Sequence, residues 1–211
     1  QTVESERYNI EYLDPRYDWQ RYDAGTFEVI WHDRPRALVV DVANEVNQRL
    51  LPVLFMFGLN NPPQMKAVIT NGSRESSRTF PLVSQTASDG QLFGGFAFGD
   101  YDVFLLAGLG VDGMIHEMTH LLFDEAVDSP RARVPAWLNE GLAMYFERGT
   151  AGRASIVSNA SRSGSLFRLD NMGAVPGKPG DVRVYYAQSW SIVTFMVDTF
   201  GPERTSRMLA A

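Results

Sequence analysis

The sequence predicts an α+β fold in which strands and one helix come first and only helices follow. Alternation of apolar and polar residues, typical of half-buried strands, occurs only before about residue 107. Helical spacing of apolar residues dominates from Asp112 onward. The chain has 211 residues, of which 45% are hydrophobic and 21% charged, so it is long enough to bury one core.

The first half of the chain contains the predicted strands. Thr26–His32 and Met65–Thr70 have the pattern of strands, and the four-residue apolar spacing between them predicts a helix over Arg36–Leu51. Asn71–Asp89 is rich in Ser, Thr and Arg, and we interpret it as a loop with room for one short strand. A hairpin follows, in which two apolar runs, Leu92–Phe98 and Tyr101–Ala107, are joined by a two-residue turn at Gly99-Asp100.

The second half is predicted to be helical. Asp112 is placed to cap a helix over Gly113–Glu125, and a polar loop around Pro130 follows it. Pro135 and Gly149 then bracket the next helix. The remaining elements are a short helix within the Gly-rich stretch Ala151–Asp181, a long helix over Val184–Phe200 and a last one over Glu203–Leu209.

Composition excludes several classes of function. The net charge of −6 is spread along the chain, which argues against a nucleic-acid partner. The longest apolar run, Leu50–Leu59, is about half as long as a membrane-spanning helix. There are no cysteines, so disulfides and cysteine-ligated metals are excluded, and only three histidines: His32, His116 and His120.

Two of these histidines belong to a His-Glu-x-x-His motif that starts at His116 and ends at His120. Positions four apart lie on one face of a helix, so both imidazoles can bind one metal ion, for which zinc is the preferred choice. Glu117 can then act as the general base toward a water molecule that the metal activates. The alternative is that these residues merely lie on a helix surface, but the apolar neighbours make this helix mostly buried, where unsatisfied His and Glu are costly.

The motif and the segment Trp137-Leu138-Asn139-Glu140-Gly141 together resemble the gluzincin metallopeptidases, the group that contains thermolysin and the zinc aminopeptidases. The resemblance implies that Glu140 is the third zinc ligand. It also implies that Glu147 supports a ligand histidine from behind, and that Asn139 hydrogen-bonds near the other histidine. Alternatively, Glu140 and Glu147 are ordinary solvated carboxylates.

A wider resemblance is to small peptidases of the MA-like family, called minigluzincins. It covers roughly Arg36–Leu209 and includes the helix start Tyr186-Ala187-Gln188-Ser189 and the helix end Phe200-Gly201. The resemblance implies one zincin-like, thermolysin-type catalytic domain over residues 1–211, with a small twisted mixed sheet followed by helices. Its parts are a sheet-containing upper lobe (about 1–107), the zinc-site helices (108–150) and a lower helical part (151–211).

The reaction also needs a donor that stabilises the oxyanion. No histidine follows His120, so the histidine that thermolysin uses is missing. By analogy with the tyrosine of the zinc aminopeptidases we select Tyr186, with Tyr185 and Arg183 as alternatives. Tyr186 also begins an apolar helical stripe, so a role in the core is the competing interpretation.

The Gly94–Phe98 segment lacks the acidic residue with which the aminopeptidase branch binds the substrate amino terminus. We therefore expect an endopeptidase that pairs an extended peptide or protein substrate with this strand. A latent or non-catalytic zinc-binding domain with a self-blocked cleft is the alternative. His32 is expected to be a surface or structural residue. We expect a monomer, and the missing Cys and initiator Met favour an extracytoplasmic bacterial setting over the cytoplasm.

Overall fold

A computed structural model describes residues 11–76, 78, 94–127 and 134–209. The loop predicted around Pro130 lies outside the described residues, as do most of the Asn71–Asp89 loop and the start of the Leu92–Phe98 strand. Over the described residues, strands and one long helix precede a series of helices. The predicted α+β class is therefore confirmed.

The described strands form one mixed sheet with the order β1-β2-β3-β5-β4. Strands β2, β3 and β5 run parallel in the middle, and the antiparallel β1 and β4 lie at the two edges. Their bounds are β1 Gln20–Asp23, β2 Phe27–Trp31, β3 Met65–Ile69, β4 Gly95–Phe98 and β5 Val103–Leu106. Among the described strands, β4 pairs with β5 alone, so it lies at one end of the described sheet.

One helix packs against strands β3, β4 and β5, and the helices pack against each other. They are α1 Arg36–Phe57, α2 Ser73–Ser76, α3 Val111–Ala126, α4 Ala136–Phe146, α5 Arg153–Ser163, α6 Pro179–Phe200 and α7 Pro202–Leu209. Helix α3 lies between α1 on one side and α4 on the other, and it also contacts the edge strand β4. Helix α4 packs against α6. No helix in the described part of the chain is apolar over enough of its length to cross a membrane.

Helix α1 extends six residues beyond its predicted end at Leu51. Pro52 lies inside it, although proline usually ends or kinks a helix because it lacks the N–H donor. Val53 and Met56 on the additional turns are fully buried, and burial of these side chains offsets the cost of the missing hydrogen bond. The helix ends instead at Gly58, whose φ of 66° is the left-handed conformation that glycine adopts readily.

The β4–β5 hairpin is present, but its predicted two-residue turn is wrong. Phe98 pairs with Val103, so four residues separate the strands. They form a 3-10 turn over Gly99–Tyr101, followed by Asp102 in the left-handed conformation with φ 52°. Aspartate tolerates this conformation better than most residues, which is the physical reason that a longer turn is accommodated here.

Asp112 does not cap the helix that follows, contrary to prediction. Helix α3 begins at Val111, and the Asp112 carboxylate accepts hydrogen bonds from backbone N–H groups of Arg148 and Gly149 instead. Helix α4 also ends earlier than predicted, since Glu147 already has an extended backbone with ψ 143°. The end of α4 is thus tied to the start of α3.

Candidate metal centre

Three side chains that the sequence analysis selected lie together between α3 and α4. Glu140 Oε2 lies 3.6 Å from Nε2 of His116 and 3.6 Å from Nε2 of His120. One donor atom from each residue lies within 4.8 Å of the other two. Among the described residues, this is the group of His, Asp and Glu side chains whose geometry suits a metal ion.

The helices bring these residues together for local reasons. His116 and His120 are one turn apart on α3, and their rings are 4.7 Å apart and nearly perpendicular. Glu140 is set by the close approach of α4 to α6 at the neighbouring Gly141. A Cβ at Gly141 would lie 2.6 Å from the backbone oxygen of Ser189, so only glycine permits this approach.

The three residues fit a divalent metal. Glu140 Oε2 is buried and has no hydrogen-bond partner among the described residues, which is costly for a carboxylate oxygen unless a cation satisfies it. Two ligands at zinc–ligand distances of about 2.0 Å in a tetrahedron are about 3.3 Å apart, close to the observed separations. Two histidines and a glutamate are also a donor set of catalytic zinc sites.

The pKa shifts at the site reflect the close approach of carboxylate groups to the two histidines. Burial by itself would lower the pKa of His116, but the nearby Glu140 carboxylate and the hydrogen bond to Glu147 outweigh it and raise the pKa to about 10. For Glu140 burial raises the pKa, yet the two histidines outweigh burial and the net pKa is lowered. A bound divalent metal ion would balance the charge of the same carboxylates, so the histidines would not need to be protonated.

The second ring nitrogen of each histidine has its own acceptor. His116 Nδ1 lies 2.6 Å from Glu147 Oε1, and His120 Nδ1 lies 2.7 Å from Asn139 Oδ1. Both partners are acceptors, so each Nδ1–H donates to its partner and each Nε2 faces Glu140, where it is placed to bind a metal ion. The structure thus places Glu147 and Asn139 behind different histidines.

Glu117 is buried beside this centre, with 6% of its surface exposed. Burial raises the pKa of its carboxyl group, and the charges of His116 and His120 oppose that rise. The carboxylate faces a cavity of about 290 Å³. The cavity is lined by Gly95, Phe96, Ala97, His116, Glu117, His120, Asp124, Asn139, Glu140 and Tyr186.

Of the three residues considered as oxyanion donors, Tyr186 lines this cavity. Its hydroxyl interacts with the Glu140 carboxylate, and burial together with that charge raises the pKa of Tyr186, so the hydroxyl keeps its proton. Tyr185 is fully buried and donates to the backbone oxygen of Met172. Arg183 is exposed on α6 and does not line the cavity.

His32 lies outside this centre and is buried, so of the two expected positions, surface or structural, it has the structural one. Its Nδ1 lies 2.8 Å from Asp33 Oδ2 and its Nε2 lies 2.7 Å from Glu75 Oε1. The ring stacks on Tyr17 with 4.1 Å between centroids. The alternation in β2 placed His32 on the polar face, but the chain at Tyr17 covers that position.

Several residues at the site were not selected from the sequence. Asp124 lines the cavity one turn after His120, and its spacing of four residues from that histidine is a signal that was available. Arg153 and Asp112 contact Glu147 or its neighbours, but they lie in segments whose local pattern gives no indication of it. These contacts are long-range and become visible only in the fold.

A family model described as the peptidase MA superfamily matches residues 87–211. The match includes α3 and α4 and every residue placed around His116 and His120 above. No curated protein sequence matches the chain.

Proposed function

The chain belongs to the peptidase MA superfamily, and from this premise we propose that it is a zinc-dependent endopeptidase of the gluzincin type. The observation that supports the proposal best is the position of Glu140 Oε2, a buried oxygen that accepts no hydrogen bond from any described residue and lies equidistant from two histidine nitrogens. His116, His120 and Glu140 would hold the ion. Bound zinc supplies a Lewis acid for the scissile carbonyl and lowers the pKa of a water molecule.

Glu117 is the general base in this proposal. Its buried carboxylate accepts a proton from the attacking water and delivers it to the nitrogen of the leaving amine. The burial that raises the pKa of Glu117 strengthens it as a base. A domain that kept zinc only for stability would have no use for a buried carboxylate at this position, so the enzyme is favoured over a non-catalytic scaffold.

Tyr186 is the proposed donor to the oxyanion. Its protonated hydroxyl lines the same cavity as Glu117 and lies against Glu140, so it can reach a carbonyl oxygen held at the ion. Removal of one such donor typically lowers kcat by about 10²–10³-fold. The hydroxyl therefore contributes to the reaction, whereas that of Tyr185 is used within the core.

The substrate is proposed to be an extended segment of a peptide or protein. Strand β4 lies at an edge of the sheet, and Gly95, Phe96 and Ala97 line the cavity beside Glu117. A peptide that pairs with this edge would present its backbone carbonyls to the metal centre. No acidic residue occurs within Gly94–Phe98 to bind a free amino terminus, which favours cleavage within a chain.

The proposal is tested by the metal content and by one substitution. We expect about one zinc per chain, and Glu117→Gln should retain the zinc but lose hydrolysis of an internally quenched peptide with blocked ends. Glu125→Gln is the matched control, since Glu125 is an exposed residue of the same helix. Folded protein that binds no zinc from excess zinc, or a Glu117→Gln variant with the wild-type rate, would exclude this function. Cleavage of substrates with free amino termini alone would instead assign an exopeptidase.

A further inference from the structure

We propose that three charged side chains form a clamp that holds Glu147 against His116 and so strengthens metal binding. The clamp residues are Arg49, Asp112 and Arg153. The inference rests on the proposed function, because it takes His116 as a metal ligand. It adds residues that do not touch the metal centre themselves.

Glu147 needs such support because of its place in the chain. It lies just beyond the end of α4 with φ −72° and ψ 143°, so the helix does not fix its backbone. Nevertheless its Oε1 lies 2.6 Å from His116 Nδ1, a short hydrogen bond. An extended segment at a helix end keeps such a contact only if other groups hold it in place.

Asp112 fixes the backbone that follows Glu147. Its Oδ1 accepts from the N–H of Arg148 at 3.1 Å, and its Oδ2 accepts from the N–H of Gly149 at 2.9 Å. Asp112 is one helical turn before His116 on α3. The same helix therefore carries the histidine and the anchor for the residue that supports it.

Arg49 links the residue before Glu147 to the same aspartate, Asp112. Its Nη2 lies 2.7 Å from Asp112 Oδ1 and donates to the backbone oxygen of Phe146 at 2.9 Å. The Arg49 side chain is 9% exposed, so this ion pair is shielded from solvent on one side. Residues on both sides of Glu147 are thus bound to one aspartate–arginine pair.

Arg153 fixes the Glu147 side chain. Its Nη2 contacts Glu147 Oε2, the carboxylate oxygen that His116 leaves free, and its Nη1 donates to the backbone oxygen of Met144 at 2.8 Å. Its guanidinium lies 6.0 Å from the ring centre of Trp190, a cation–π contact. With both oxygens bound, the carboxylate cannot rotate away from the imidazole.

The consequence is a fixed acceptor for His116 Nδ1–H. This acceptor keeps the Nε2 lone pair directed at the metal position and makes the imidazole a better ligand. Loss of such a partner typically weakens metal binding by about 10–100-fold. The clamp residues should affect binding through Glu147, by relaxing its position, rather than by direct contact.

The experiment measures zinc affinity by competition with a chromophoric chelator, and the thermal unfolding of the zinc-free proteins. Arg153→Met, Asp112→Asn and Glu147→Gln should each weaken zinc binding by about 10-fold or more. Arg148→Ala is the control. Asp112 binds the backbone N–H of Arg148, which the substitution keeps, and the Arg148 side chain is 74% exposed. This control should bind zinc as the wild type does.

A double variant separates positioning from a general structural role. If Arg153 acts through Glu147, the Glu147→Gln/Arg153→Met protein should bind zinc no more weakly than Glu147→Gln alone. Equal affinities of Arg153→Met and the wild type, or losses in the double variant that multiply, would overturn the clamp. If Arg153→Met does not fold, Arg153→Lys decides, since lysine keeps the buried charge but cannot reach both acceptors. A wild-type protein that binds no zinc would instead overturn the proposed function itself.

Discussion

Gly95 on the edge strand lies directly against the carboxylate of Glu117 on α3. A Cβ built at position 95 would be 2.4 Å from Glu117 Oε1 and 2.7 Å from its Cδ, closer than atoms can approach. Strand β4 and the proposed general base therefore share a space that only glycine leaves open. In the proposed reaction, the alignment of substrate and base would depend on the absence of a side chain at this position.

Gly95→Ala should consequently abolish most of the activity without removing the metal. The added methyl group must displace the Glu117 carboxylate or the strand, and a displacement of about 1 Å can lower kcat by about 100-fold. We expect unchanged zinc content, since the atoms nearest to a Cβ at position 95 belong to Glu117 and Leu106 and not to a metal ligand. Steady-state hydrolysis of a quenched peptide, with zinc measured on the same sample, checks this prediction.

The matched control is Gly94→Ala, one residue earlier, where a Cβ would meet nothing within 4 Å. This variant should retain nearly the wild-type kcat. Equal activity of the two alanine variants would show that the Gly95–Glu117 contact is not required for the reaction.

Replacement of Tyr186 by Phe tests the donor to the oxyanion. The variant loses only the hydroxyl that lies in the cavity, so kcat should fall by about 10²–10³-fold while zinc remains bound. Tyr185→Phe removes the neighbouring hydroxyl, which donates to Met172 in the core. It should lower the free energy of unfolding by about 1 kcal/mol and leave kcat unchanged. If the two variants lose activity equally, Tyr186 is not the donor.

Gly141→Ala tests the contact that sets the position of Glu140. Its Cβ would overlap the Ser189 backbone oxygen and Val193 on α6, at 2.6 Å from each. The helices must separate, which should cost about 1–3 kcal/mol of unfolding free energy and weaken zinc binding. Gly180→Ala, on α6 with nothing within 4 Å, is the control and should leave both quantities nearly unchanged. Urea unfolding and chelator competition give the two quantities, and an unaltered zinc affinity in Gly141→Ala would contradict this role.

The sequence predicted the fold class and the order of its elements because periodicity is a local property. The same locality explains the errors. The helix predicted to end at Leu51 continues through Pro52, because burial of Val53 and Met56 stabilises the additional turns of α1. Asp112 was assigned to its own helix end because its actual partners, Arg148 and Gly149, are 36 and 37 residues away. Burial and distant partners decide such cases, and neither is visible in a short window.

Local sequence patterns likewise predict some residues of the candidate site and not others. His116 and His120 share one helix, so spacing alone places them on one face. Glu140 lies on another helix, and its association with them came from a resemblance rather than from periodicity. The role of Arg153 was not predicted from the sequence, because its contact with Glu147 depends on the turn between α4 and α5, where the residue pattern is weak.

His32 is 1% exposed and has a carboxylate at each ring nitrogen. Burial by itself would lower the pKa of His32, but the hydrogen bonds and charges of Glu75 and Asp33 outweigh it, so the net pKa is raised. A raised pKa in the folded state means that the imidazolium stabilises the fold. This stabilisation is complete below the unfolded pKa of about 6.5 and is lost as pH rises through the folded pKa.

His32→Gln should therefore destabilise the protein more at about pH 6 than at about pH 10. The neutral amide cannot replace two charge-assisted hydrogen bonds, which together contribute on the order of 1–3 kcal/mol below pH 6.5. Urea unfolding of both zinc-loaded proteins across this range measures the difference. Glu75→Gln should show the same trend, because it removes the partner of Nε2. A destabilisation that does not depend on pH would mean that His32 is neutral in the fold and acts only by packing against Tyr17.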